Sequence, residues 1–264
     1  MAESTAVASE TARKYKSLVR ALHLLSYFTE HSPEWSVSEL ARHAKMPKST
    51  VSTILATLRE EDLLYQQPDT GRYRLGLRCL ELGYYSASQL VIRDIAFPYL
   101  QSLLESVNQI VYMAVPYQSQ VLYIEALYPL ARRVNYSSVG RRAPMYCTAI
   151  GKALLAHMPD KERNAFLSGT ELVAFTPNTL TDVKALEEEL ARTRTRGYAI
   201  DQEEREPGIR CVAAPLYGRK NTTVAAVSIS GPANEFTPER VAEYGLRLKN
   251  LSNELSRKLA LAGF

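Results

Sequence analysis

Cysteine is scarce in this chain. Cys79, Cys147 and Cys211 are widely spaced, and no two stand as a CxxC pair. An odd, dispersed set excludes a disulfide framework and a zinc site, and it points to a reducing cytoplasm. Histidine is little more common: His23, His31, His43 and His157 form no metal-spaced pair, so neither metal nor cofactor is expected. Strong charge is also missing, since 32 Lys+Arg oppose 28 Asp+Glu for a net of +4. That balance permits a nucleic-acid partner without requiring one. No apolar run approaches the roughly 20 residues that span a bilayer, so no membrane partner is expected. With 12 Gly and 13 Pro in 264 residues, collagen-like and low-complexity chains are excluded. The opening stretch is small, polar and acidic, without the basic-then-apolar order of a signal peptide. Residues 1–15 read as a disordered lead-in.

What is present is ordinary globular composition, 46% hydrophobic and 23% charged, in a length that fits two domains. Leu18, Ala21, Leu22, Leu25 and Phe28 recur at helical spacing, predicting a helix over 16–30 that Ser32-Pro33 stops. Val37, Leu40, Ala41 and Ala44 make the apolar side of a second, short helix. Ser36 is its N-cap, with Glu39 at the capping-box spacing. After the break Lys45-Met46-Pro47, a third helix over 48–60 turns Val51, Ile54, Leu55 and Leu58 inward. Leu63-Leu64-Tyr65 and Tyr73-Arg74-Leu75 then read as strands around the turn Pro68-Asp69-Thr70-Gly71.

Helix, helix, tight turn, helix, hairpin is the order of a winged helix-turn-helix. The outward side of the third helix offers Lys48, Ser49, Ser52, Thr53 and Arg59, with no acid before Glu60. Short hydrogen-bonding side chains let a helix approach base edges in the major groove. Ser49, Thr50 and the free amides of that helix start suit a phosphate. Arg72 and Arg74, in the wing, suit phosphate or minor-groove contact, and Arg13, Lys14 and Lys16 form a basic lead-in. The competing reading is a protein-binding module in which Ser49 and Thr50 merely cap the helix and Lys48 and Arg59 are solvated.

Further on, 77–90 reads as a connecting helix broken at Gly83, and 92–107 as a helix with Pro98 in its first turns. Strand-like runs follow at 110–115, 121–126, 132–137, 210–217 and 224–230. Residues 139–146 read as a loop. Helices are expected over 148–157, 181–196 and 238–259. This pattern predicts an α+β domain around an antiparallel sheet, with helices on one side and a concave face for a ligand. Ser228 and Ser230 are two apart, so a strand points both to one face. Thr148 opens a helix, whose start favours anions. Together they make a carboxylate seat. The alternative for the serines is a solvent or subunit face, and for Cys211 a small buried hydrophobe. Tyr112, Tyr123, Tyr128, Tyr136 and Tyr146 fit either an aromatic-acid pocket or plain strand positions.

Enzyme motifs fail. Gly151-Lys152 lacks the earlier glycine and the following Ser/Thr of a phosphate loop. Cys147 and His157, ten residues apart on one helix, are out of mutual reach. Glu203-Glu204 reads as a solvated edge. No catalytic residue is expected.

The motifs Met46-Pro47-Lys48-Ser49-Thr50-Val51, Leu55-Ala56-Thr57-Leu58, Gly71-Arg72-Tyr73-Arg74-Leu75-Gly76, Gly151-Lys152-Ala153-Leu154-Leu155-Ala156, Arg196-Gly197-Tyr198, Gly208-Ile209-Arg210-Cys211 and Ser228-Ile229-Ser230-Gly231-Pro232 stand in order along the chain. With them the sequence resembles the IclR family of bacterial transcriptional regulators, over about residues 16–259. The resemblance implies a GAF-like effector domain and an effector-controlled repressor or activator working as a dimer or dimer of dimers. It places the effector pocket on Met145, Ala149, Ile150, Asp201, Cys211, Ser228 and Ser230, to which the helix-start argument adds Thr148. Two departures stand out: Lys45 and Thr53 occupy positions where the family often has Gly and Arg. A left-handed turn would strain Lys45, and Thr53 forgoes an Arg-to-guanine contact. Asp201 would repel an anionic ligand unless it accepts a donor from it, as a hydroxy acid provides. Otherwise it caps a turn or pairs with an arginine.

The expected organisation is therefore a winged helix-turn-helix over 16–76, a linker helix over 77–91 and the effector domain over 92–264. Operator DNA and a small organic acid are the expected partners. The alternative is a metabolite sensor that signals through protein contacts without DNA.

Overall fold

The computed structural model describes residues 15–130 and 138–264. The expected lead-in, apart from Tyr15, and the expected strand over 132–137 with Tyr136 lie outside them. The chain divides into two compact units, residues 1–89 and 90–264.

The first unit contains α1 (Lys16–Leu25), α2 (Val37–His43), α3 (Lys48–Glu60), the strands β1 (Leu64–Gln66) and β2 (Tyr73–Leu75), and α4 (Leu77–Ser88). Its core is Leu24, Phe28, Leu40, Val51, Leu55, Leu58, Leu64 and Tyr73. The first helix stops at Leu25 rather than near residue 30. From there Ser26, Tyr27 and Phe28 each donate to the carbonyl three residues back. That tighter winding rotates Phe28 into the core. Ser36 and Glu39 form a reciprocal capping box at the start of α2.

The turn after α2 is a Schellman motif, with Met46 N–H on Ala41 O at 2.9 Å and Lys45 N–H on Arg42 O at 3.3 Å. Its left-handed position is Lys45, at φ 53°. The strain expected of a lysine there is real. β1 and β2 pair antiparallel, and Trp35 adds a bridge to Tyr73 through hydrogen bonds of 2.9 and 2.8 Å. Contrary to expectation, α4 runs unbroken through Gly83.

The second unit opens with α5 (Val91–Val107), followed by β3 (Ile110–Tyr117), β4 (Gln120–Leu127), β5 (Arg142–Pro144), α6 (Ala149–His157), α7 (Asp160–Gly169) and α8 (Val183–Arg196). β6 (Ala199–Gln202), β7 (Ile209–Tyr217), β8 (Thr223–Pro232) and α9 (Pro238–Ala262) complete it. Pro98 is well inside α5 rather than in its first turns. The six strands form one antiparallel sheet in the order β5-β4-β3-β8-β7-β6.

Alternation along the strands splits the core in two. Val111, Met113, Val212, Ala214, Val227 and Ile229 pack on α5 and α9. Ala114, Ala213 and Ala226 pack on α6, together with Leu186 and Leu190 of α8. Helices therefore cover both faces, not one as expected. β5 lies inside the expected loop, and α7 and β6 add elements that periodicity did not reveal.

Candidate DNA-reading surface and effector site

α3 buries Val51, Leu55 and Leu58. Lys48, Ser49, Ser52, Thr53 and Arg59 are exposed on its other side, and Thr50 is half-buried. Pro47 is the N-cap and supplies no side-chain bond, so Ser49 and Thr50 do not cap this helix. The Thr53 hydroxyl donates back to Ser49 O at 3.1 Å. Arg59 donates to Gln66 Oε1 at 2.9 Å, and Gln66 donates to Gly71 O at 3.1 Å, tying the helix to the hairpin turn.

The two wing arginines differ. Arg74 is exposed, its guanidinium 4.9 Å from the Tyr65 ring centroid. Arg72 is half-buried, paired with Glu39 at 2.8 Å and bonded to Glu34 O at 3.2 Å. Bonds from the Ser36 backbone and hydroxyl, with Arg72 beside them, hold the Glu39 carboxyl down at about 2.

In the second unit, strand register assembles a polar patch. Asp201 faces Cys211, and Cys211 faces Ser230. In the adjoining row Ala213 faces Ser228, and Ser228 faces Tyr112. Directly opposed residues share a sheet face, and this is the face on which α6 packs. Cys211 Sγ and Ser230 Oγ lie 2.9 Å apart, and burial holds the Cys211 thiol protonated. The Tyr112 ring lies tilted to that of Tyr123 at 5.2 Å and edge-on to that of Tyr128 at 6.2 Å, and burial pushes its phenol up to about 12.

Met145, Ala149 and Ile150 are buried at the start of α6. The hydroxyl of Thr148 donates its proton to Pro144 O at 2.9 Å and accepts from Gly151 N–H at 3.2 Å. A Cβ on Gly151 would stand 2.2 Å from Met145 O, so only glycine lets the helix lie this close to that backbone.

Asp201 caps a turn: its Oδ1 accepts from Glu204 N–H at 2.7 Å. Burial raises its carboxyl to about 7, against the opposing pull of Lys152. The reading of Glu203-Glu204 as a solvated edge is corrected for Glu204. It is buried and accepts from Lys152 Nζ, which is itself only 1% exposed. Glu204 Oε2 is buried without a hydrogen-bond partner among the described residues. Sequence reasoning missed this pair. Its signal was a lysine inside the apolar run 149–156 and an acid three residues after Asp201. Cys147 and His157 have separate surroundings. Burial pushes the Cys147 thiol up to about 12, and His157 Nδ1 sits 2.9 Å from Ala153 O.

Among the described residues no group of three or more His, Cys, Asp or Glu could hold a metal ion. No helix among them is long and apolar enough to cross a membrane.

The family model of the bacterial transcriptional regulator IclR C-terminal domain matches residues 85–257, and that of the IclR helix-turn-helix domain matches residues 17–68. The HTH-type transcriptional regulator XynR of Escherichia coli (strain K12) is 34% identical, over 92% of this chain and 97% of its own. The transcriptional repressor IclR of the same strain is 32% identical, over 91% and 89%. Thermotoga maritima IclR superposes with TM-score 0.73 at 34% identity, over 93% of this chain and 99% of that one. An IclR homolog from Microbacterium hydrocarbonoxydans, solved in complex with 4-hydroxybenzoate, gives TM-score 0.77 at 26% identity, over 93% and 99%. The chain belongs to the IclR family of bacterial transcriptional regulators and carries that family's helix-turn-helix domain.

Proposed function

We propose that this regulator binds operator DNA through α3 and the wing, as a homodimer or dimer of dimers in the cytoplasm, and that a small carboxylic acid controls the binding. In this reading residues 16–76 contact DNA, with Lys48, Ser49, Thr50, Ser52, Thr53, Arg59, Arg72 and Arg74 facing the duplex. Residues 77–91 connect the units, and 92–264 hold the effector. The observation that carries the DNA half is the exposed, acid-free polar side of α3 beside exposed Arg74. The observation that carries the effector half is the Asp201, Cys211, Ser230 and Ser228 patch beneath the start of α6. The 4-hydroxybenzoate bound by the Microbacterium homolog supports an acid of that class. An effector changes operator affinity only through unequal affinity for two arrangements of the assembly.

Operator binding is tested on DNA selected from a random library, by anisotropy across a salt series. Lys48→Ala with Arg74→Ala weakens binding and lowers the salt slope by about one per lost phosphate contact. An unchanged slope removes these residues from the interface. A thermal-shift screen of organic acids, including 4-hydroxybenzoate, tests the effector. A binder raises the melting temperature by mass action, and Ser228→Ala with Ser230→Ala abolishes that rise while operator binding persists.

A further inference from the structure

The effector patch carries buried charge of its own. Lys152 reaches it from α6 and Glu204 from the turn after β6, and these two cancel. Asp201, buried three residues before Glu204, has no cation left to itself. The other groups around it are neutral or solvated. From β7 comes the Cys211 thiol, from β4 the Tyr123 phenol, and from the segment before α6 the Cys147 thiol, each kept protonated by burial. Arg205 is exposed and lies 4.1 Å over the Phe175 ring; Arg141 and Glu206 are exposed as well. From α8, Glu189 feels Lys152 but is held by Arg192 and Arg196. With every group ionised, the buried set of Lys152, Glu204 and Asp201 is already one charge negative. A bound carboxylate would add a second. Two such charges close together away from water do not both persist, and one is cancelled by a proton.

We propose that the effector site is proton-coupled: a monocarboxylate binds together with one proton from solvent, which resides on Asp201, and dicarboxylates are rejected. This rests on the reading above that an acid binds at this patch. The balance is simple. The ligand enters as its anion, solvent supplies the proton, and Asp201 becomes a neutral acid able to donate a hydrogen bond to the ligand. The buried Glu204 Oε2 without a partner marks the same place as short of protons. Burial also lifts the Asp201 carboxyl to about 7, so the required proton is available near neutrality.

The test is calorimetry on the full-length protein with 4-hydroxybenzoate as the monocarboxylate and terephthalate as its dicarboxylate counterpart, from pH 6 to 8.5, in two buffers of different ionisation enthalpy. The expected result is a 4-hydroxybenzoate Kd that is flat below the Asp201 midpoint and rises above it towards tenfold per pH unit, with matching proton uptake. Terephthalate binds at least tenfold more weakly. Asp201→Asn, which imitates the protonated acid, gives a Kd independent of pH. A flat wild-type profile, or an unchanged slope in Asp201→Asn, overturns the proposal. Failure of both acids to bind counts against the ligand class alone. Proton coupling is then judged without ligand, by the infrared difference between wild type and Asp201→Asn. A protonated-carboxyl band present at pH 6 and lost by pH 8.5 supports it, and no band at pH 6 refutes it.

Discussion

Lys152 Nζ donates to Glu204 Oε1 in the interior of the second unit, joining α6 to the turn after β6 across 52 positions of sequence. Both side chains are nearly sealed from solvent, at 1% and 6% exposure. Removing one partner strands a buried charge, whereas replacing both with apolar groups removes the problem. Lys152→Met alone is therefore expected to cost about 3–5 kcal/mol. Adding Glu204→Leu to it should recover most of that loss. Urea midpoints of the two variants check this, and equal midpoints would mean that the charges are not coupled.

Asp201 makes stability depend on pH with a definite sign. Burial raises its carboxyl in the folded state to about 7, above the ordinary aspartate value of 3.8 that the unfolded chain keeps. The folded state holds the proton more tightly, so this group's contribution is full below about pH 4, falls as pH rises through that window, and levels off above 7. Asp201→Asn should remove the fall, so that the variant gains on wild type between pH 5 and 8. Parallel denaturation curves at those two pH values provide the comparison.

Lys45 holds a left-handed conformation, at φ 53°, in the Schellman turn between α2 and α3. Glycine accepts that conformation without the clash between Cβ and backbone. Lys45→Gly should accordingly raise the stability of the first unit by about 1 kcal/mol. Lys45→Ala, which keeps the Cβ, should give no such gain. Thermal melts of the two variants separate backbone strain from loss of the lysine charge.

Gly151 sits where α6 touches the Met145 backbone, and a Cβ there would stand 2.2 Å from the Met145 carbonyl oxygen. Gly151→Ala must push the helix start away, at a cost of about 1–3 kcal/mol typical of overpacking. Since Met145, Ala149 and Ile150 lie on both sides of that contact, the same change should weaken effector binding. A normal effector-induced thermal shift in this variant would place the ligand elsewhere.

Much of the fold was readable from local pattern. The capping box at Ser36 and Glu39, the third helix over Lys48–Glu60, the hairpin, and the strand placing Ser228 beside Ser230 depend on residues within a few positions of one another. The end of α1 is not legible in the sequence, because Phe28 continues the helical period while the backbone tightens beneath it. β6, four residues over Ala199–Gln202, is too short to show alternation in the sequence. Arg72 looked like an equal of Arg74, yet one is tied to Glu39 and the other is open to solvent.

The sequence alone determined the family motifs, the order of elements in the first unit and the residue types proposed to read DNA and to seat an acid, because propensity, capping and periodicity act over short range. Tertiary structure decided the electrostatics. It set Asp201 opposite Cys211 and Ser230, closed both sheet faces with helices, and buried Lys152 against Glu204. Desolvation depends on which distant segments exclude water, and no local pattern in the chain encodes that.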